Sequence, residues 1–250
     1  MLNFLRNLRR KNMNSKYFKY AVGEIVLVVI GILIALSINN WNENRKDRKF
    51  EESMLGEIRG ALIQDSVYFH YLIQNRINFT DSVNEVITTH FLTHDTYDKK
   101  LDSIIGYLDY GFLYQYNNGP FESFKNSGLD KIKDPALRAG LTYIYDFSLP
   151  RTKELLGYGG GFNTILSKVQ EYVGSRLYIK DGKIYDSEYL RNPNELDKMK
   201  FLEFLNFNDD YLDNARLRLE GRLVEIRLAI NRIDEVYPDL QKRPSLVTYN

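Results

Sequence analysis

Residues 21–38 read AVGEIVLVVIGILIALSI, an apolar stretch whose single charged residue is Glu24. An α-helix rises about 1.5 Å per residue and the hydrocarbon core of a bilayer is about 30 Å thick, so about 20 apolar residues cross it. The segment from Tyr20 to Trp41 meets that length. The sequence therefore predicts a transmembrane helix over residues 20–41, and the rest of the chain is interpreted from this segment outward.

The charges on either side of the apolar segment predict its orientation. Six Lys or Arg residues and no acidic residue precede it, whereas both signs are mixed after it. The positive-inside rule then predicts a cytoplasmic basic tail at residues 1–19 and a domain at residues 42–250 on the far side of the membrane. Tyr17, Tyr20 and Trp41 stand where aromatic residues anchor a span at its two interfaces.

Two other interpretations of this segment are weaker. A cleaved signal peptide has a similar basic and apolar layout, and Ala35-Leu36-Ser37 resembles a cleavage site. The apolar run is long for a signal peptide, however, and Asn39-Asn40-Trp41 leads directly into a helical pattern. A buried helix of a soluble protein is disfavoured because the run has no polar face apart from Glu24.

Composition limits the function of the remaining chain. The formal net charge is +1, and the residues beyond the span are mildly acidic, which gives no reason to expect nucleic acid binding. The chain has no cysteine, which excludes disulfides, thiolate metal sites and cysteine nucleophiles, and is compatible with a bacterial periplasm. About 210 residues outside the membrane are enough for one domain with its own core.

The periodicity of the outer part predicts an all-α fold, a helical bundle with one small β-hairpin. Apolar residues recur at helical spacing from the span to Phe91 and predict one long helix through Asp81-Ser82-Val83. Its predicted buried stripe is Phe50, Met54, Ile58, Leu62, Tyr68 and Leu72. Asp181-Gly182 predicts the turn of a hairpin near residues 177–185.

Caps and turn residues set the other predicted helices. Gly128 predicts the end of a helix that starts at Phe121, and Asp134 with Pro135 predicts the start of the next one. That next helix has a predicted buried stripe of Leu137, Leu141, Ile144 and Tyr145.

Three further helices are predicted over Lys99–Tyr110, over Arg151–Arg176 with a bend or a close contact at its glycines, and over Glu195–Leu205 with Asn194 as N-cap. A last long helix is predicted over Asp209–Val236, with Asp209 and Asp210 as favourable charges at its N-terminus. The apolar stripe of the first helix could pair with a second copy of itself or pack antiparallel on this last helix, and the similar lengths of the two helices favour the second.

The residue types that carry chemistry do not assemble into a catalytic pattern. His90 and His94 have the spacing of two zinc ligands on a helix, but no third ligand stands at a fixed spacing, so an exposed helix end is favoured. Gly157 and Gly159-Gly160-Gly161 lack the preceding strand and the Lys-Ser/Thr of a phosphate loop. We therefore predict no enzyme activity, no metal and no cofactor.

The apolar segment carries one unusual stripe. Glu24, Val28, Gly31, Ala35 and Asn39 lie on one helical face, and Gly31 with Ala35 gives the small-xxx-small spacing that lets membrane helices approach closely. This stripe predicts an interface with a second membrane helix, either of a partner protein or of another copy. Glu24 has two interpretations: a functional carboxylate within the span, or a side chain that reaches the nearby headgroups beside Lys16 or Lys19, which we favour.

Two stretches resemble a known group of proteins. YAVGEIVLVVIGILIALSINNWNENRK at residues 20–46 is similar to the YxxGEIxLVxxGILIALxINNWNE segment of single-pass membrane proteins that are common in Bacteroidota and contain a domain of unknown function. FESFKNSGLDKIKDPALRAGLTYIYDF at residues 121–147 resembles that group's second pattern, although here Leu129 follows Gly128 directly. The resemblance implies a bacterial inner membrane and a helical outer part, and it implies no activity or site residue.

Three functions remain open at this stage. The first is a membrane-anchored, non-enzymatic periplasmic scaffold, an accessory subunit of an inner-membrane envelope complex. The second is a periplasmic ligand-binding sensor, which would need a partner because a 19-residue tail has no room for an output domain. The third is an energy-coupled single-span subunit that uses Glu24, by analogy of architecture alone. The predicted partners are the lipid bilayer and a membrane protein or a second copy.

Overall fold

The computed structural model describes residues 2–94, 96–109, 111–157 and 161–242, and it confirms the all-α class with one small β-hairpin. The chain divides into two compact units, which meet in sequence at Ser53 and Met54. The first unit is helical throughout its described residues, and its helix is long and apolar enough to cross a membrane. The division into residues 1–19, 20–41 and 42–250 stays a prediction.

The predicted long helix is confirmed. Helix α1 is Leu2–Leu72, a π-helical turn follows at Ile73–Ile77, and helix α2 is Asn78–Thr93. Within the second unit its buried face centres on Leu55, Ile58, Leu62, Phe69 and Leu72. The prediction is wrong for Phe50, Met54 and Tyr68, which are only half-buried. The buried row passes through the neighbours of these three residues instead.

The chain between α2 and α5 consists of short elements whose ends follow the turn residues. Helix α3, Asp102–Ile105, lies between 3₁₀ turns at Lys99–Leu101 and Gly106–Asp109, within the predicted helix; Tyr110 lies outside the described residues. Helix α4, Gly119–Gly128, begins with Pro120 in its first turn. It ends at Gly128, whose φ of 107° confirms the predicted need for a glycine.

Helix α5, Pro135–Tyr143, confirms its predicted cap and its predicted buried stripe. The Leu137 N–H donates to Asp134 Oδ1 at 2.8 Å, and all four predicted stripe residues are buried. A π-helical turn at Ile144–Ser148 leads directly into helix α6, Leu149–Leu156. Pro150 has no N–H to donate, and the π turn just before it is a common way to accommodate such a break inside a continuous helical segment.

The predicted helix over Arg151–Arg176 is wrong in its extent. Helix α6 ends at Leu156, helix α7 is Gly161–Tyr172, and residues 158–160 lie outside the described residues. Gly157 is required at this break, since a Cβ there would stand 2.4 Å from the Lys153 carbonyl oxygen. Gly157 therefore ends a helix rather than bends one.

The hairpin is confirmed and is longer than predicted. Strand β1 is Val173–Lys180 and strand β2 is Lys183–Leu190, and they pair antiparallel without a bulge from Val173 opposite Leu190 to Lys180 opposite Lys183. Asp181 and Gly182 have φ of 49° and 72°, the left-handed values that a two-residue type I′ turn requires.

Helix α8, Lys198–Val236, replaces two predicted helices. Its N-cap is Asp197, whose side chain accepts from the Lys200 N–H, while Asn194 lies in a 3₁₀ turn. Asp209 and Asp210 lie inside this helix, so their prediction as N-terminal charges is wrong. Helical spacing predicts an apolar stripe on α8, and it is buried at six of its seven positions, with Ile230 half-buried: Leu212, Ala215, Leu219, Leu223, Ile226, Ile230 and Ile233.

Polar contacts confirm that α8 runs antiparallel to α1 and α2 within the second unit. Arg59 pairs with Asp234 at 2.6 Å near one end, and the Asn84 amide donates to the Leu205 carbonyl at 2.9 Å near the other. Between them Arg216 Nη2 lies 2.6 Å from Asp81 Oδ2. A hydrophobic core at the α2 end joins α2, α3, α7, the base of the hairpin and the first turns of α8.

Candidate functional site

The predicted membrane stripe lies on an exposed helix. Glu24, Val28, Gly31, Ala35 and Asn39 are all exposed, and a Cβ added at Gly31 would meet no described atom within 4 Å. The Asn39 amide donates to Glu43 Oε1 at 3.1 Å, one turn along the same helix. Helical geometry thus brings the five positions to one face, and their role as an interface stays a prediction.

The predicted aromatic anchors are exposed as well. Tyr17, Tyr20 and Trp41 present their rings away from the helix, and the Arg45 guanidinium lies 5.8 Å from the centre of the Trp41 ring. An aromatic ring beside a cation suits the headgroup layer of a membrane, because the ring can contact the lipid chains while the cation contacts the charged headgroups.

A buried carboxyl in the second unit was not predicted. Asp65 is 4% exposed, and its two oxygens accept from the Asn117 backbone N–H at 3.0 and 3.2 Å. Burial raises the pKa of Asp65 to about 7, and this single hydrogen bond opposes the shift only in part. The site can therefore take up a proton near neutral pH.

Three tyrosines surround this carboxyl. Burial raises the pKa of the Tyr114 and Tyr145 hydroxyls above the usual range, and the neighbouring Asp65 charge adds to both shifts. Tyr116 is shifted in the same direction for the same two reasons. The Tyr145 hydroxyl is buried and has no hydrogen-bond partner among the described residues. These hydroxyls are therefore protonated donors at every physiological pH.

A second polar group ties α8 to the turn before α6. Arg222 donates to the Ser148 carbonyl at 3.1 Å, to the Thr152 hydroxyl at 3.3 Å and to Glu225 Oε1 at 2.8 Å. The Ser148 hydroxyl donates to the other oxygen of Glu225. The half-buried Arg222–Glu225 pair thus has fixed polar partners on α6 and on the turn before it, although Arg222 Nε is buried without a partner among the described residues, and the group ties these elements to α8.

Acidic residues of α2 and α8 form a third group. Hydrogen bonding with the Asp81 carboxyl, followed by burial, raises the pKa of Asp209 to about 6. Arg216 binds Asp81 and Asp213 and also donates to Asn78 Oδ1 at 3.2 Å. Because the folded state holds the proton of Asp209 more tightly than the unfolded state, the contact between α2 and α8 is more stabilising below pH 6 than above it.

An apolar groove of about 250 Å³ runs between α5 and α8. Its lining includes Ala136, Gly140 and Ala229, whose small side chains leave the space open. Glu225 and Arg232 are the charged residues in its lining. A groove of this volume and character suits an apolar ligand or an apolar side chain of a partner.

The histidines do not form a metal site among the described residues, in which no group of three ligand-type side chains was found. His90 and His94 stack ring on ring at 4.7 Å where α2 ends, and the His90 ring nitrogen contacts the Thr96 carbonyl at 3.2 Å. The exposed helix end that the sequence favoured is confirmed, and Asp95 lies outside the described residues.

One sequence signal could have found Asp65. It lies three residues after Leu62 and four before Phe69, so it occupies a core position of an apolar stripe. A carboxyl in such a position is expected to be buried and to have a raised pKa. The hydrogen bond from the Asn117 N–H to the Asp65 carboxyl could not be predicted from the sequence, because the two residues are 52 positions apart.

These features define a helical protein with one N-terminal helix that is long and apolar enough to cross a membrane. The chain belongs to the family DUF6090, a family of unknown function, whose model matches residues 24–175. The match begins at Glu24 inside the apolar segment and includes Asp65, Asn117 and Tyr145. No curated protein and no solved structure matches the chain.

Proposed function

We propose that this protein is a membrane-anchored, non-enzymatic interaction module, an accessory subunit of an envelope complex in a bacterial inner membrane. Residues 1–19 stay in the cytoplasm, residues 20–41 span the bilayer and residues 42–250 lie in the periplasm. The span binds a second membrane helix, and the helical domain is the scaffold that this contact holds at the membrane. The Bacteroidota-like membrane segment supports this cell type.

The observation that carries the proposal is the exposed small-residue stripe. A glycine in the middle of a helix costs about 1 kcal/mol relative to alanine in water, so Gly31 needs a compensating role. A Cβ placed at Gly31 would have no described atom within 4 Å. None of the apolar stretch that is long enough to cross a membrane is buried by the described residues. A close-packed helix outside this chain supplies the compensation, because small residues let two backbones approach.

The test compares two glycines of the span. Gly31→Leu blocks close approach on the stripe, whereas Gly23→Leu adds the same side chain about a third of a turn away, where nothing described lies within 4 Å either. Each full-length protein is purified in a mild detergent, and its associated proteins are identified by mass spectrometry. We expect a partner or a second copy to be retained with the wild type and Gly23→Leu and lost with Gly31→Leu. Retention by all three would contradict the proposal.

Orientation is tested separately. Single cysteines are placed near each end of the span, since the natural chain has none. A membrane-impermeant maleimide added to intact spheroplasts should label Asn44→Cys and leave Asn14→Cys unlabelled. The reverse pattern would refute the proposed topology without affecting the helix interface.

The groove between α5 and α8 favours a second candidate, a ligand-binding sensor. Its lining is almost entirely apolar, so fatty acids of graded length are the appropriate first probes. Saturable stabilisation in a thermal-shift assay, lost when Gly140→Leu fills the groove, would support this candidate. A shift that is equal in the variant would place binding elsewhere.

A further inference from the structure

The far part of the hairpin carries an exposed apolar face. Leu177, Ile179 and Ile184 are 71%, 75% and 72% exposed, and Ile179 stands opposite Ile184 in the register. Successive residues of a strand point to opposite faces, so Leu177 lies on the same face as this pair. The base of the hairpin differs, since Val173 and Leu190 are buried in the core. The hairpin is therefore held at one end and uncovered at the other.

The turn fixes which backbone groups point outward. In a two-residue hairpin the residues next to the turn, Lys180 and Lys183, form a hydrogen-bonded pair, and such pairs then alternate with non-bonded ones. The N–H and C=O groups of the non-bonded residues point away from the other strand. The free backbone groups of β1 therefore belong to Ser175, Leu177 and Ile179.

The two edges of the hairpin differ in their protection. The outward positions of β2 are Ile184, Asp186 and Glu188, and charged residue types at edge positions disfavour strand addition. The outward positions of β1 have no charged residue, and the strand has neither a proline nor a bulge. An isolated two-stranded hairpin is also marginally stable in water. The β1 edge is consequently the edge that can accept another strand.

We propose that β1 pairs with β1 of a second copy of this chain. The two strands run antiparallel about a two-fold axis at Leu177, which places Leu177 opposite itself and Ser175 opposite Ile179. The three pairs supply about six hydrogen bonds, because each bonded pair exchanges two. The result is a four-stranded sheet in which Leu177, Ile179 and Ile184 of both copies lie on one face, which also carries the acidic positions of β2.

Self-complementarity is the reason for choosing a second copy as the occupant. In this register every residue of β1 whose N–H and C=O point away from β2 meets another such residue of the second copy, as a symmetric interface requires. Lys180 meets Gly174, so its charge faces no lysine of the other copy. The contact is independent of the helix interface proposed for the span, and either one can exist without the other.

Single cysteines test the pairing in the full-length protein. Leu177→Cys and Ile184→Cys are matched, because both positions are more than 70% exposed and lie on the same face. In the proposed sheet the two backbones at position 177 are about 5 Å apart, whereas the two Ile184 positions lie three strand spacings apart and four residues out of step, about 20 Å from each other. A short bifunctional maleimide is added to dilute protein in detergent, and dimers are counted on denaturing gels.

We expect Leu177→Cys to give at least fivefold more cross-linked dimer than Ile184→Cys. Adding Ser175→Pro to Leu177→Cys removes an outward N–H without breaking a bond inside the hairpin, and it should lower the yield severalfold. Equal yields at the two positions, or no dimer at either, would overturn the proposal. The two proposals can fail separately. If Gly31→Leu loses the partner but cross-linking at position 177 stays normal, the result supports the span interface and does not affect the strand pairing.

Discussion

Replacing Asp65 by asparagine should stabilise the second unit at neutral pH and remove a large part of its pH dependence. The wild-type carboxyl is buried and accepts a single hydrogen bond, so its charged form is poorly solvated. Asparagine has nearly the same shape, and its carbonyl oxygen can still accept from the Asn117 N–H. The variant therefore removes a buried charge and preserves the packing.

The raised pKa sets the sign and the size of the effect. The pKa of Asp65 rises from 3.8 to about 7 on folding, so the folded state holds the proton more tightly than the unfolded state. The free energy of unfolding is then highest at acid pH, falls as the pH rises through this range and levels off above 7. At 1.36 kcal/mol per pKa unit the whole loss is at most about 4 kcal/mol, of which about 1 kcal/mol falls between pH 6 and 7.

The assay is urea unfolding of the full-length protein in detergent, followed by near-ultraviolet circular dichroism between pH 5 and 8. Between pH 6 and 7 the wild type should lose about 1 kcal/mol more than Asp65→Asn, and Asp65→Asn should be more stable than the wild type at pH 8. The three histidines are common to both proteins and cancel in the difference.

Asp209→Asn is the matched control, because Asp209 is a second carboxyl with a raised pKa, of about 6. It should change the slope mainly below pH 6 and leave the slope between pH 6.5 and 7.5 as in the wild type. Equal slopes in the wild type and Asp65→Asn across that upper range would refute the reasoning. A variant that is less stable than the wild type at every pH would show that the carboxylate is a net stabilising group.

Three further predictions concern single positions. Asp134→Ala removes the cap of α5 and should lower the free energy of unfolding by about 1 kcal/mol, whereas Asp134→Asn keeps the cap and should lose less; equal losses would contradict the cap. Gly128→Ala, at a φ of 107°, should cost about 1–3 kcal/mol in the same urea assay, whereas Gly140→Ala, in open space on α5, should cost nothing. Glu24→Gln should leave insertion and partner recovery unchanged, because the side chain lies about one turn inside Tyr20 and reaches the headgroups; loss of the partner would indicate an ion pair within the span.

Local signals in the sequence predicted those parts of the fold that depend on neighbouring residues. Asp134-Pro135 and Asp181-Gly182 each set a backbone conformation within three or four residues, and the structure has both a cap and a turn there. The membrane stripe is also local, because one helix defines its face. These features needed no knowledge of the rest of the chain.

The long-range features could not be predicted in this way. Asp209 looked like a helix start because aspartate favours helix N-termini, yet it lies inside α8, where it faces Asp81 of α2. The environment of Asp209 is thus set by a residue far away in the sequence. Asp65 is a similar case, since its burial depends on the extended segment that contains Asn117. Tertiary packing determines that α8 is one continuous helix and which polar groups are buried. Local helix propensity carries no information about such packing.

Gly31 links the span to the rest of the interpretation. A helix that served only as an anchor would gain from a larger apolar residue at this position, because each added methylene buried in lipid is worth about 0.8 kcal/mol. Gly31 does not obtain this gain, and no atom of the described chain lies close enough to exclude a larger side chain there. On the proposed function, the constraint comes from outside the chain, from a helix that approaches the stripe more closely than lipid does, and Gly23, which is equally uncovered but lies off the stripe, carries no such constraint. If Gly31→Leu and Gly23→Leu behave alike in every assay, Gly31 carries no such constraint and the span is an anchor alone.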